Sequence, residues 1–214
     1  MALNKLKFNS LNVTPVASKA LKFNSSANGF ETGDAGGSMK FISKQTASSS
    51  STINFTSGID STFKEYIFIF NNIHASANGY FRVNFRDGSS AYDSTKTTTM
   101  FYSGQKEDAS EYQTPLGGGG NSLGNSTAVQ RIISGEFDTS NDCTLCGYLH
   151  LYDPSNTTHI KHFIANTQYM TNSPASETSY IAGYCNTTNA IDGAQFDMSS
   201  GTIEYGDILL FGVN

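Results

Sequence analysis

Gly147-Tyr-Leu-His-Leu-Tyr152, Asp153-Pro-Ser-Asn-Thr-Thr158 and His159-Ile-Lys-His-Phe-Ile164 read as a strand, a turn and a returning strand. Apolar and polar residues alternate on either side of a Pro/Ser/Asn/Thr cluster, which is the signature of paired strands rather than of a helix. The pattern recurs at Tyr180–Cys185, Gln195–Met198 and Ile208–Val213. Upstream, from Ser38 onward, candidate strands follow at roughly 8–12-residue intervals. They are Met39–Lys44, Thr52–Thr56, Glu65–Asn71, Tyr80–Arg86, Thr97–Tyr102, Val129–Phe137, Thr144–Tyr152, His159–Ala165, Ser179–Cys185, Gln195–Met198 and Asp207–Val213. No segment carries a clear helical period. The expectation is an all-β chain folded as an antiparallel β-sandwich.

Two kinds of strand stand out. Tyr80-Phe-Arg-Val-Asn-Phe-Arg86 alternates cleanly, so Phe81, Val83 and Phe85 are expected inside and Arg82, Asn84 and Arg86 in water. Replacing Arg82 by Ala should then be nearly silent. Tyr66-Ile-Phe-Ile-Phe70 and Ile208-Leu-Leu-Phe211 are apolar on both faces and need cover on both sides. Ile208, Leu209, Leu210 and Phe211 are therefore the candidate subunit interface.

The chain has 214 residues, of which only 14% are charged, against roughly 25% in ordinary soluble domains. A polar surface must come from Ser, Thr, Asn and Gly instead. The net charge of -5 argues against a nucleic-acid-binding face. Fifteen Phe and eleven Tyr supply ample core material. The N-terminus lacks an apolar run of secretory type, and no stretch reaches the length of a membrane span. With three cysteines, the expectation is synthesis in a reducing cytoplasm with free thiols and no membrane insertion.

Residues 1–37 differ from the rest. Leu6-Lys-Phe-Asn-Ser10 reappears as Leu21-Lys-Phe-Asn-Ser25, and the glycines between Gly29 and Gly37 suggest a hinge. Such a segment is either a disordered tail or a short extended attachment arm, in which Leu6, Phe8, Leu21 and Phe23 dock on another protein. Residues 38–214 form the head. Its longest expected loop, Ser103 to Ser126, contains Gly117-Gly-Gly-Gly120, and loops of that length are usually functional or mobile.

Chemistry-bearing motifs are few. Cys143-x-x-Cys146 and His159-x-x-His162 have a zinc-finger-like interval, but Asp153-Pro154 falls where a helix would be needed. Residues three apart on a strand also point to opposite faces. No metal and no cofactor are expected. Glu107, Asp108 and Glu111 lack the spaced ligand array of a calcium loop. No nucleophile elbow or phosphate-binding loop occurs. The chain is not expected to be an enzyme.

Phe55-Thr-Ser-Gly-Ile-Asp-Ser-Thr-Phe-Lys-Glu-Tyr66 and Phe68-Ile-Phe-Asn-Asn-Ile-His74 open a longer pattern. It continues through Leu149–Phe163, Ala182-Gly-Tyr-Cys-Asn-Thr-Thr-Asn-Ala-Ile191, Phe196-Asp-Met-Ser-Ser-Gly-Thr-Ile203 and Ile208-Leu-Leu-Phe-Gly212. Over residues 38–214 this resembles a domain of virion structural and tail fibre proteins of tailed bacteriophages of marine and cyanobacterial type. The resemblance implies a jelly-roll-like sandwich, a homotrimer, and mounting on other virion proteins through the N-terminal segment. Host-surface attachment, with a surface glycan as partner, is the expected function. Its contact loops are Gln105–Leu123 and Thr171–Glu177, with Tyr112, Gln113, Asn121 and Asn172 as candidate contacts. The alternative is a capsid decoration or tail-assembly protein with no receptor.

Overall fold

The computed structural model describes residues 13–17, 19–33, 37–114 and 121–213. Contacts divide the chain into two units, Met1–Ser38 and Met39–Asn214. In the first, β1 (Ala20–Phe23) and β2 (Phe30–Gly33) pair as an antiparallel hairpin. Asn24 N donates to Gly29 O at 2.9 Å, and Ala27 closes the turn with φ 53°. Phe23 and Phe30 stack with centroids 4.9 Å apart. Residues 30–33, expected within a glycine hinge, are thus a paired strand, held by ladder bonds and one ring stack. Leu21 and Phe23 sit exposed on β1, while Leu6 and Phe8 lie outside the described residues.

The second unit is built from β3 (Met39–Thr46), β4 (Thr52–Phe55), β5 (Glu65–Ala75), β6 (Phe81–Arg86), β7 (Lys96–Lys106) and β8 (Glu111–Thr114). There follow β9 (Gln130–Arg131), β10 (Leu145–Tyr152), β11 (Lys161–Thr171), β12 (Ala175–Cys185), β13 (Gly193–Met198) and β14 (Ile203–Val213). A large sheet of eight strands runs β3-β14-β5-β10-β11-β12-β7-β8, and a small sheet of four runs β4-β13-β6-β9. Each of these pairings is antiparallel. No helix occurs among the described residues.

With the short β8 and β9 and the β11–β12 hairpin set aside as additions, the winding is clear. The large sheet then places the first, last, third and sixth strands side by side, and the small sheet the second, seventh and fourth. That alternation between sheets is the order of a jelly roll. The fifth strand, β7, departs from it by joining the large sheet through β12.

Between the sheets, Phe196 of β13 is the hub. Its ring meets Phe68 at 5.2 Å, Phe70 at 5.3 Å, Phe81 at 5.9 Å and Phe55 at 6.2 Å. Phe81, Val83 and Phe85 point inward as their alternation predicts. The opposite side of β6 is drier than expected. Asn84 is buried, donating through Nδ2 to Thr127 O at 3.3 Å, because the segment after residue 125 passes over it. Arg82 grips Asp197 through two bonds, Nε to Oδ1 at 2.9 Å and Nη2 to Oδ2 at 2.7 Å, and adds one to Met198 O. Arg82→Ala is therefore not silent. It should cost about 1 kcal/mol in urea denaturation, the upper end for surface pairs, since the contact is forked and partly covered. Arg82→Lys, which cannot form the fork, should recover only part of that loss.

Val129–Phe137, expected as a strand, is one only at Gln130–Arg131. Ile132, Ile133 and Phe137 are buried, yet their backbone is irregular apart from a bridge between Phe137 and Gly79. Several other strands outrun their expected ends, as β5, β7, β11, β12 and β14 each span 11 residues.

Candidate functional site

The two loops singled out in the sequence meet at one end of the sandwich. β7 continues to Lys106 and returns as β8, so half of the expected Ser103–Ser126 loop is a hairpin whose tip turns at Ala109, φ 67°. Next to it, β11 and β12 are joined by Asn172-Ser173-Pro174, and Glu107 N donates to Pro174 O at 3.1 Å. Lys106 stands between three shallow hollows. One of about 320 Å³ is lined by Ser110, Asn172, Ser173 and Glu177. A second, about 300 Å³, is lined by Gln105, Gln168 and Ser176, and a third, about 310 Å³, by Glu107, Asp108 and Ser173.

The wall behind Asn172 is braced by buried polar groups. Tyr169 and Ser134 donate their hydroxyls to Glu177 Oε1, and Gly135 N donates to the same oxygen at 3.1 Å. Ser134 N donates to Tyr169 Oη at 2.8 Å. Burial, helped by the Glu177 carboxylate, raises the Tyr169 phenol far above its ordinary range. At the rim, hydrogen bonds from Ser110 hold the Asp108 carboxyl below its usual value.

Among the candidate contacts, Asn172 is exposed at a hollow. Tyr112 and Gln113 lie on β8, paired with Gly104 and Ser103. Asn121 is a structural residue rather than a contact. It is buried, its carbonyl accepts from Gln130 Nε2 at 2.8 Å, and the chain after it closes over β7 through Leu123 N to Thr98 Oγ1. Lys106, Ser173 and Glu177 fall inside the two expected contact loops but are not among the four candidate contacts, because only the meeting of two turns distant in sequence brings them together.

The interface residues divide by strand parity. Ile208 and Leu210 are fully buried between the sheets, so they are core and not interface. Leu209 and Phe211 face the other way, onto the outer face of the large sheet. Backbone register places residues there in rows across the strands. One row is Phe101, Tyr180, Asn166, Tyr148, Ile69 and Leu209. The next is Thr99, Ala182, Ile164, His150, Ile67, Phe211 and Phe41. Phe41 and Phe211 meet edge-on at 5.5 Å. So wide an apolar face is unusual on a monomer.

Cys143 is buried, Cys146 is on the outer face, His159 sits in the turn before β11 and His162 is exposed on it. No metal-binding group of His, Cys, Asp or Glu occurs among the described residues. On the inner face, Cys185 lies between Lys161 and Lys96 in register, all three fully buried. Lys96 Nζ donates to Asn84 Oδ1 and, at 2.7 Å, to Ser94 O; Lys161 Nζ donates to Thr187 O at 3.1 Å. Burial lowers Lys96 to about 8 and pushes the Cys185 thiol up to about 11, so that thiol is a poor nucleophile.

No protein-family model matches this chain, and a search of curated proteins finds none similar to it. Its functional reading therefore rests on its own residues and geometry.

Proposed function

We propose that this chain is a tail-associated structural protein of a bacteriophage virion, without enzymatic activity, whose β-sandwich head contacts the host surface. One observation carries the reading. The two loops expected to make contact converge around Lys106 and frame hollows lined by amide, hydroxyl and charged side chains. Such a mixture on a braced scaffold suits a hydroxyl-rich ligand, and an envelope glycan is the natural class.

Full-length protein should bind host cells or their purified envelope polysaccharide. Lys106→Ala combined with Asn172→Ala should weaken that binding about tenfold or more while leaving circular dichroism unchanged. Absence of binding by the parent protein would remove the proposal, as would binding indifferent to both replacements.

The second reading is a capsid decoration or tail-assembly protein, and the apolar outer face favours it. Particles lacking the protein separate the two: lost adsorption with intact heads supports attachment, whereas leaking or fragile particles support a cementing part. In either reading the N-terminal segment is the anchor, and the exposure of Leu21 and Phe23 supports that role. Changing Leu6, Phe8, Leu21 and Phe23 to Ser should leave the head folded and abolish incorporation into particles, as read by immunoblot of purified virions.

A further inference from the structure

The outer face of the large sheet carries both halves of an interlocking contact. Phe101 and Tyr180 stand up as a stacked pair, centroids 4.9 Å apart and rings 13° from parallel, 49% and 43% exposed. One pleat further along the same two strands come Thr99 and Ala182. Their side chains are small, and the surface drops into a hollow of about 470 Å³ walled by Thr97, His162, Ile164 and Tyr184. Two residues along a strand span about 7 Å, so knob and hollow are immediate neighbours.

We infer that a second copy of this chain covers this face, as a two-fold dimer in which the Phe101/Tyr180 pair of each subunit fills the Ala182 hollow of the other. The geometry permits it directly. A two-fold axis lying in the plane of the face, crossing the strands midway between knob and hollow, sets each knob over the opposite hollow. An isologous contact requires such self-complementarity of one patch, whereas a ring of three needs two different patches per subunit. The inference thus departs from the trimer that the resemblance implies.

Area and charge point to the same occupant. Phe41, Phe101, Tyr148, Ile164 and Tyr180 are each between 42% and 53% exposed. With their half-covered neighbours they offer on the order of 800 Å² of side-chain surface, the amount each partner brings to a standard interface. In the two central rows Lys44, at the end beyond Leu209, is the one residue of fixed charge. Two such faces can therefore meet without opposing like charges. The contact is independent of the glycan reading, because the Lys106 end and the knob use different residues.

Sedimentation velocity and native mass spectrometry of the full chain should give a species of twice 23.0 kDa. Ala182→Arg, at an exposed position, should weaken self-association at least about thirtyfold without altering the urea midpoint of the monomer. Phe101→Ser with Tyr180→Ser should do the same. A monomer at tens of micromolar, a trimer, or a dimer that survives Ala182→Arg would each overturn the inference.

Discussion

Replacing Phe196 by Ala should lower the stability of the head by roughly 3–5 kcal/mol, the range for deleting a large buried ring. Phe196 belongs at the top of that range because it touches four other rings and joins the two sheets through them. Phe68→Ala and Phe81→Ala remove fewer aromatic partners from the same cluster and should fall lower within it. A domain has only about 5–15 kcal/mol to lose, so the Phe196 variant should unfold at a much lower urea concentration. The slope of the transition should be unchanged. A loss below about 1 kcal/mol would mean that the sheets close over the gap, and that the hub described above does not hold them together.

Lys96 should give the largest dependence of stability on pH. Its ammonium is fully buried and its pKa falls from 10.5 to about 8, with desolvation as the main cause. A lysine lowered on folding binds more protons in the unfolded chain than in the native one between those values. Stability therefore rises with pH from about 8 to about 10.5, by on the order of 3 kcal/mol. Cys185 and Cys143, both raised to about 11 by burial, act in the opposite sense once the pH passes their ordinary value near 9. The measurement is thus a difference: the gain should be present in the parent protein and absent in Lys96→Met. Lys96→Met also takes the donor from Asn84 Oδ1 and Ser94 O, which offsets the desolvation it relieves, so the test rests on the change with pH and not on the stability at pH 7. Parallel stability curves for the two proteins from pH 7 to 10 would refute this account of Lys96.

The class of fold was legible because alternation at Phe81, Val83 and Phe85, and at Gly147–Tyr152, is a local property that the sheets preserve. What escaped was whatever depends on a third layer. Asn84 looks solvent-facing by parity and is buried because a distant segment crosses it. Lys96 and Lys161 look like ordinary surface lysines, yet their positions on long strands turn them inward. Val129–Phe137 has the composition of a strand and the burial of one, but composition reports burial and not backbone pairing. At Ile208–Phe211 the sequence correctly asks for cover on both faces. It does not say that one face is covered within the protomer by the small sheet, which leaves only Leu209 and Phe211 outward. The candidate contact loops were legible only at their tips, since Gln105–Leu123 opens as the β7–β8 hairpin and Thr171–Glu177 narrows to Asn172-Ser173-Pro174. Their meeting around Lys106 was not, since more than sixty residues separate the two turns.

The place of β14 in the large sheet has a bearing on how the protein is made. It lies between β3 and β5, pairing Val213 with both Met39 and Glu65. While the chain is being synthesised, β3 has no neighbour and β5 an open edge until residues 203–213 leave the ribosome. The sheet cannot close vectorially, strand by strand, and its most distant partners must find each other last. During that interval the aromatic rows and the unpaired edge of β5 are open to other nascent chains. Chaperone demand and the yield of soluble protein should therefore follow the expression rate more steeply than the modest size of the chain suggests.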